Sequence, residues 1–272
     1  MYFYCVKEAK LISSTQNPLI KKIVLLKEKS RERKKTGLFV VEGQREVELA
    51  LKGGYSIDTI LYCTEIVSDF SQNPICKNPN IQFIQVSRSV YEKVAYREST
   101  EGILGLVKAK EHTLENLQFK TKNPLILVAE APEKPGNIGA LLRTADAAAV
   151  DAVLIANPRT DLYNPNIIRS SVGCVFTNTI ATGTTSEIIS FLKEKDIKIF
   201  CAALTASKNY VECDFSTGAA IVVGTEATGL TEEWLQNSDQ NIVIPMQGEI
   251  DSMNVSVSAA ILIFEAKRQR GF

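Results

Sequence analysis

A chain of 272 residues that is 45% hydrophobic and 23% charged, with a formal net charge of zero, carries enough apolar material for two modest cores and has the composition of a folded domain protein. Its apolar runs fall short of the roughly 20 residues that a spanning helix needs, and the opening stretch meets charge too early for a secretory leader, so a cytoplasmic location without a membrane partner is expected. The single histidine, His112, and six cysteines without Cys-x-x-Cys spacing argue against a metal site and against Ser-His-Asp or Cys-His hydrolase chemistry.

From the N-terminus, Asn17–Lys27 places Leu19, Ile20, Ile23 and Leu26 at helical spacing after a polar start. The run Lys27-Glu-Lys-Ser-Arg-Glu-Arg-Lys-Lys35 follows. Residues 1–110 hold 18 basic and 12 acidic side chains, a net +6, whereas residues 111–272 carry a net −6. Such a split suggests one part that meets a polyanion and another that does something else; the plainer reading of the run is a solvated helix face. Leu38–Val41 reads as a strand, Glu46–Leu51 as a helix ended by Gly53-Gly54, and Ile57–Tyr62, Ile81–Val86 and Ile103–Val107 as strands, with a helix over Val90–Ala95. This alternation predicts an α/β layer domain.

Between Lys108 and Asn123 the sequence turns polar, as a linker or domain edge does. A second α/β unit then follows, with strands Leu125–Ala129, Ala152–Ala156, Ile199–Ala203 and Ala219–Val223 and helices Ala140–Ala149, Ile188–Lys195 and Val255–Arg268. Strands of nearly unbroken apolar character fit a parallel sheet buried on both faces.

Three segments of this half carry candidate chemistry. In Ala131-Pro-Glu-Lys-Pro-Gly-Asn137-Ile-Gly139-Ala-Leu-Leu-Arg143 a strand enters a Pro/Gly turn. There Asn137 is placed to cap the next helix and Arg143 lies about two turns in; a capped helix with a surface arginine is the plain alternative. In Ile221-Val-Val-Gly224-Thr-Glu226-Ala-Thr-Gly229-Leu230 an apolar strand ends in a glycine-bracketed loop with one carboxylate. Ligands of open α/β sheets bind beyond such strand ends, although Thr231-Glu-Glu-Trp234 also reads as an ordinary capped helix start. The spacing is not Gly-x-Gly-x-x-Gly, which disfavours a dinucleotide site. In Ile244-Pro-Met246-Gln-Gly-Glu-Ile-Asp-Ser252-Met253-Asn254-Val-Ser256-Val-Ser258 a strand runs through a polar loop into a helix fronted by small hydroxyl and amide residues, which suit caps and ligand donors.

In this order and spacing the three segments resemble the motifs of the SpoU (TrmH-type) branch of the SPOUT RNA methyltransferases. Phe39-Val-Val-Glu42-Gly43-Gln-Arg45-Glu-Val and Thr100-Glu-Gly102-Ile103-Leu-Gly resemble, less specifically, that family's L30e/L7Ae-like substrate-binding domain. The resemblance implies an α/β fold with a C-terminal trefoil-knotted methyltransferase domain at 123–272, a linker at 111–122 and an L30e-like RNA-binding domain at 1–110. It further implies S-adenosyl-L-methionine as cofactor, a homodimer, no metal, and methylation of a ribose 2′-hydroxyl in RNA. A separate basic domain favours ribosomal RNA; a tRNA 2′-O-methyltransferase and a non-catalytic RNA-binding protein are the alternatives.

Carried over by position, Gly224, Ile244 and Met253, with Gly229 and Met246 beside them, line the cofactor pocket. Asn137, Arg143, Glu226, Ser252 and Asn254 form the catalytic surface. Met253 stands where the family more often has leucine, and Ser258 where alanine is usual. The family's proposal makes Arg143 the general base, whereas an arginine ordinarily stays charged, so phosphate binding with stabilisation of the developing alkoxide is the second role, and Glu226 the second proton acceptor. For RNA binding, Arg31, Arg33, Lys34 and Lys35 of the basic run and Arg45 are the candidates.

Overall fold

The computed structural model describes residues 10–68, 70, 73–96, 101–119, 121–205, 207–225, 228–250 and 252–272. The chain forms two compact units. The first takes the chain to Lys110 together with Leu162–Arg169, and the second comprises Glu111–Asp161 and Ser170–Phe272.

The first unit runs β1 (Leu11–Ile12), α1 (Pro18–Glu28), α2 (Ser30–Thr36), β2 (Leu38–Glu42), α3 (Gln44–Lys52), β3 (Ile57–Tyr62), β4 (Gln82–Val86), α4 (Arg88–Val94) and β5 (Ile103–Lys108). Its five-stranded sheet has the order β1-β4-β3-β5-β2 and is mixed: β1, β4 and β3 are parallel, while β5 is antiparallel to both neighbours. Asn17 Oδ1 accepts from Leu19 N at 2.9 Å and Pro18 opens α1, so the helix starts where an Asn cap and a proline at the first position favour it. Ile20, Ile23 and Leu26 then turn into a core shared with Val90, Tyr91 and Val94 of α4.

The basic run ends α1 and forms most of α2, the helix of its plainer reading, although α2 lacks an apolar stripe. One side chain supplies the missing inward face. Arg33 is 5% exposed, and its Nη1 donates to Leu26 O at 2.6 Å and to Lys27 O at 3.2 Å. It therefore occupies carbonyls at the C-terminus of α1, where positive charge is favoured. Within the same unit Tyr163 stacks on Phe39 with centroids 4.0 Å apart and meets Tyr55 edge-on at 6.1 Å.

The second unit runs β6 (Leu125–Glu130), α5 (Pro135–Ala147), β7 (Ala152–Ala156), α6 (Pro165–Ser170, whose last residue alone belongs to this unit), β8 (Ile180–Gly183), α7 (Thr185–Glu194), β9 (Lys198–Ala202), β10 (Lys208–Asn209), β11 (Ala219–Val223), α8 (Glu232–Asn237), β12 (Gln240–Val243) and α9 (Val255–Arg270). All seven strands are parallel, in the order β10-β12-β9-β11-β6-β7-β8. Every residue of β6, β7 and β11 is buried, as their unbroken apolar runs require. Register sets Val223 opposite Ala129 and Glu130 opposite Ala156, so these three strands end level.

Several expectations shift. α5 begins at Pro135, five residues before the apolar repeat, because proline is preorganised for the first helical position. Asn137 therefore lies inside the first turn and does not cap the helix; Lys134 holds that position, and its side chain makes no capping bond to the helix. β8 and α6 went unread because each is too short to establish a period. In the polar stretch after Lys110, Leu114, Leu117 and Phe119 pack on the core of the second unit, and His112 O accepts from Thr182 N at 2.8 Å.

Candidate active site

The C-terminal ends of the parallel strands gather the polar residues of the second unit. Beyond β11 the chain closes a tight loop: Thr225 N donates to Gly229 O at 3.0 Å and Gly229 N to Thr225 O at 3.1 Å. Gly224 permits this closure, since a Cβ there would lie 2.2 Å from Gly229 C, and Gly229 takes the left-handed conformation with φ 68. Glycine thus serves here to bring two backbone segments together.

A cavity of about 510 Å³ opens beside this loop, lined by residues that include Leu204, Gly224, Gly229, Ile244, Met246, Ser252 and Met253. All five residues expected around the cofactor line this one space, and Ser252 joins them. Its volume lies in the range of small-molecule sites. Its wall combines aliphatic side chains with backbone that the glycines leave open, which fits a ligand having a flat apolar part and polar edges.

A second cavity of about 290 Å³ shares Gly224, Thr225, Thr228 and Val255 with the first. Asn137, Glu133, Lys134 and Arg159 stand on its wall. The two cavities are thus neighbours across the Gly224 loop and the start of α9. Asn254 caps α9, its Oδ1 accepting from Ser256 N at 2.9 Å and from Ser256 Oγ at 2.6 Å. The amide nitrogen of Asn254 donates to Asn137 Oδ1 at 3.2 Å. Two residues 117 positions apart therefore meet where the two helix starts converge.

Not all candidates join them. Arg143 is exposed on α5 and lines neither cavity. Glu226 lies outside the described residues. In the first unit Arg31, Lys34 and Lys35 are exposed, and Arg45 is 59% exposed while bonded to the carboxylate of Glu46 at 2.9 Å. Arg33 corrects the expectation of a uniformly outward cluster: it is buried and committed to the carbonyls of α1. Among the described residues no group of three or more potential metal ligands occurs, and no helix is long and apolar enough to cross a membrane.

Sequence reading passed over Glu130 and Thr185 and read Thr231 only as a helix cap. Glu130 is 2% exposed. Its Oε1 accepts from Thr185 Oγ1 at 3.1 Å and Thr231 Oγ1 at 2.8 Å, and its Oε2 from Thr231 N at 2.9 Å. The available signal was a carboxylate ending an unbroken apolar strand. Thr231 precedes α8 as a cap would, yet it makes no side-chain capping bond; its hydroxyl is turned to Glu130.

Residues 124–264 match the SpoU rRNA methylase family, and residues 17–105 match an MRM3-like substrate binding domain. The chain is 31% identical to a Bacillus subtilis 23S rRNA (guanosine(2553)-2′-O)-methyltransferase, RlmP, over 95% of its own length and 99% of that protein. Among solved structures it is similar to an RNA 2′-O ribose methyltransferase, at 38% identity and TM-score 0.83 over 96% of this chain and 99% of that one. It is also similar to an AdoMet-bound rRNA methyltransferase from Sinorhizobium meliloti, at 25% identity and TM-score 0.85 over 96% and 98%.

Proposed function

The chain belongs to the SpoU rRNA methylase family, and from that premise we propose that it is an S-adenosylmethionine-dependent enzyme that methylates a ribose 2′-hydroxyl in ribosomal RNA. The observation that carries this reading is the convergence of all three motif segments on two adjoining cavities, one suited to the cofactor and one open to substrate. Relatives described as 23S rRNA methyltransferases that align over nearly the whole chain favour ribosomal RNA over tRNA.

Gly224, Gly229, Ile244, Met246 and Met253 hold the cofactor, largely through backbone groups and aliphatic contacts. The bound cofactor supplies an already electrophilic methyl group, which leaves alignment and removal of one proton to the protein. Asn137 and Asn254 fix the starts of α5 and α9 against each other and present amides to the ribose. Ser252 stands at the cofactor side. Arg143, exposed on α5, binds a phosphate of the RNA and stabilises the alkoxide that develops as the proton leaves; Glu226 is the alternative acceptor of that proton.

The first unit grips the RNA, with Arg31, Lys34, Lys35 and Arg45 meeting phosphates, and residues 111–122 join it to the catalytic domain at 123–272. The reading includes a cytoplasmic homodimer. Support for the dimer comes from α9, which leaves the apolar side chains Val257 48% and Phe264 39% exposed. It also includes the trefoil knot, in keeping with a last strand, β12, outside β9 and a closing helix that returns to pack on α5 and β6. The test is incubation of the purified protein with labelled S-adenosylmethionine and ribosomal RNA, then digestion and mass spectrometry of the nucleosides. A 2′-O-methylnucleoside supports the reading, and a base-methylated product overturns it.

A further inference from the structure

Glu130 is a carboxylate buried at the end of a central strand, and among the described residues no cation pairs with it. Burying an ionisable group without a counter-charge is costly unless hydrogen bonds compensate. Here three do, and two of the three come from Thr231, the residue that follows the Gly224–Leu230 loop. Thr231 gives up the capping bond that its hydroxyl would ordinarily make to the first turn of α8, to reach a residue 101 positions earlier.

The same network extends sideways. Thr185, at the start of α7, donates to Glu130 and accepts from Asn157 Nδ2 at 2.9 Å. Asn157, directly after β7, has φ 49, and Ala131, directly after Glu130, has φ 43. Both are left-handed turns that cost energy and persist where the surroundings hold them. Glu130 therefore ties the ends of β6 and β7 and the starts of α7 and α8 into one knot of hydrogen bonds.

Its position relative to the two cavities gives this network a purpose. The backbone that leaves Glu130 becomes Ala131–Lys134, a wall of the second cavity, and the segment held by its side chain ends the loop that lines both. The loop has its other fixed point at the Gly224–Gly229 closure. Thr228–Leu230 are thus held from both sides, by the packing of Gly229 against Gly224 and by the bonds of Thr231 to Glu130.

We propose that Glu130 is a positioning residue for methyl transfer: it holds Thr231 so that Thr228–Leu230 keep the place against the cavity that the cofactor needs. It touches neither cofactor nor RNA, and acts through the loop. This inference rests on the methyltransferase reading above. The test is S-adenosylmethionine binding by calorimetry, with thermal unfolding and RNA binding measured on the same samples. Glu130→Ala is expected to weaken cofactor affinity on the order of tenfold or more, the scale of a lost charge-assisted bond, with RNA affinity unchanged. Glu130→Gln retains an acceptor for Thr231 N and an amide for the hydroxyls, and is expected to restore most of that affinity. Glu130→Asp is too short to span to Thr231 and is expected not to.

Thr231→Val, which keeps the backbone bond and loses only the hydroxyl, gives the same answer should Glu130→Ala fail to fold: affinity falls by about threefold to tenfold, as for one hydrogen bond. Thr185→Val loses the partner that does not touch the loop. It is expected to lower the unfolding temperature and leave cofactor affinity alone. A parent protein that does not bind S-adenosylmethionine overturns both the function and this inference. A parent that binds, beside folded Glu130→Ala and Thr231→Val variants that bind equally well, overturns the inference only.

Discussion

In the first unit most charged side chains are turned outward; of the two buried among those described, Arg33 serves the fold by occupying carbonyls of α1, and Glu46 of α3 is bonded to Arg45. In the second unit the central strands β6, β7 and β11 are apolar on both faces, and polar residues collect where they stop: Glu130, Asn137, Thr225, Thr231 and Asn254. A mixed sheet has faces and edges on which to spread a binding surface. A parallel sheet covered on both sides has only the ends of its strands, because a polar group elsewhere would be buried without water. The RNA-gripping function assigned to the first unit should therefore be divided among several replaceable charges. The chemistry assigned to the second should depend on single residues.

The sharpest test of that contrast is Arg143→Ala. If one residue carries alkoxide stabilisation, turnover should fall by about a hundredfold or more, the scale of losing one transition-state donor, while calorimetry finds cofactor affinity near that of the parent. Arg143→Lys keeps charge without the bidentate fork and should recover little. Near-parental turnover in Arg143→Ala would remove the residue from the mechanism.

Gly224→Val comes next. Its side chain would begin 2.2 Å from Gly229 C, so the loop must open. S-adenosylmethionine affinity should drop by roughly a hundredfold, about 2.7 kcal/mol, with RNA binding little affected. Unchanged cofactor affinity in the folded variant would place the pocket elsewhere.

For the first unit the expectation is graded. Replacing Arg31, Lys34 and Lys35 together by alanine should leave the unfolding temperature alone and weaken RNA binding. It should also flatten the slope of log affinity against log salt by about 2, since each lost phosphate contact removes released counterion. Arg33→Ala should do the reverse, costing about 1.5–3 kcal/mol of stability through charged hydrogen bonds while the salt slope of the folded fraction stays put. Replacing Arg33 together with the other three would confuse the two effects, so the two variants are kept separate and denaturant titration accompanies each RNA titration.

The smallest effect is Asn254→Ala. Loss of the cap should cost about 1 kcal/mol in denaturant titrations; a change below a few tenths would mean that the bonds to Ser256 and Asn137 contribute nothing.

How much of this was legible follows from the same physics. Every long apolar strand of the second unit could be read, because burial on both faces leaves an unbroken run, and each motif glycine or asparagine marks a point where such a run ends. The pairing of Asn137 with Asn254 could not be read, since proximity across 117 residues is set by topology and not by local pattern. Nor could the role of Glu130: a carboxylate after an apolar run looks like any strand leaving the core until its partners, Thr185 and Thr231, are seen beside it. The basic run was legible as charge and misread in one member, because α2 has no apolar stripe and draws its inward contact from the aliphatic stem and guanidinium of Arg33.

The central claim is that the strand-end cavities house methyl transfer to a ribose of ribosomal RNA. Its most direct test is a transcript-wide map of 2′-O-methylated nucleotides in total RNA from cells with the gene, without it, and complemented by Arg143→Ala. The account predicts a 2′-O-methyl signal in ribosomal RNA that disappears with the gene and stays absent with the variant. A map unchanged by deletion, or a signal restored by Arg143→Ala, would contradict it.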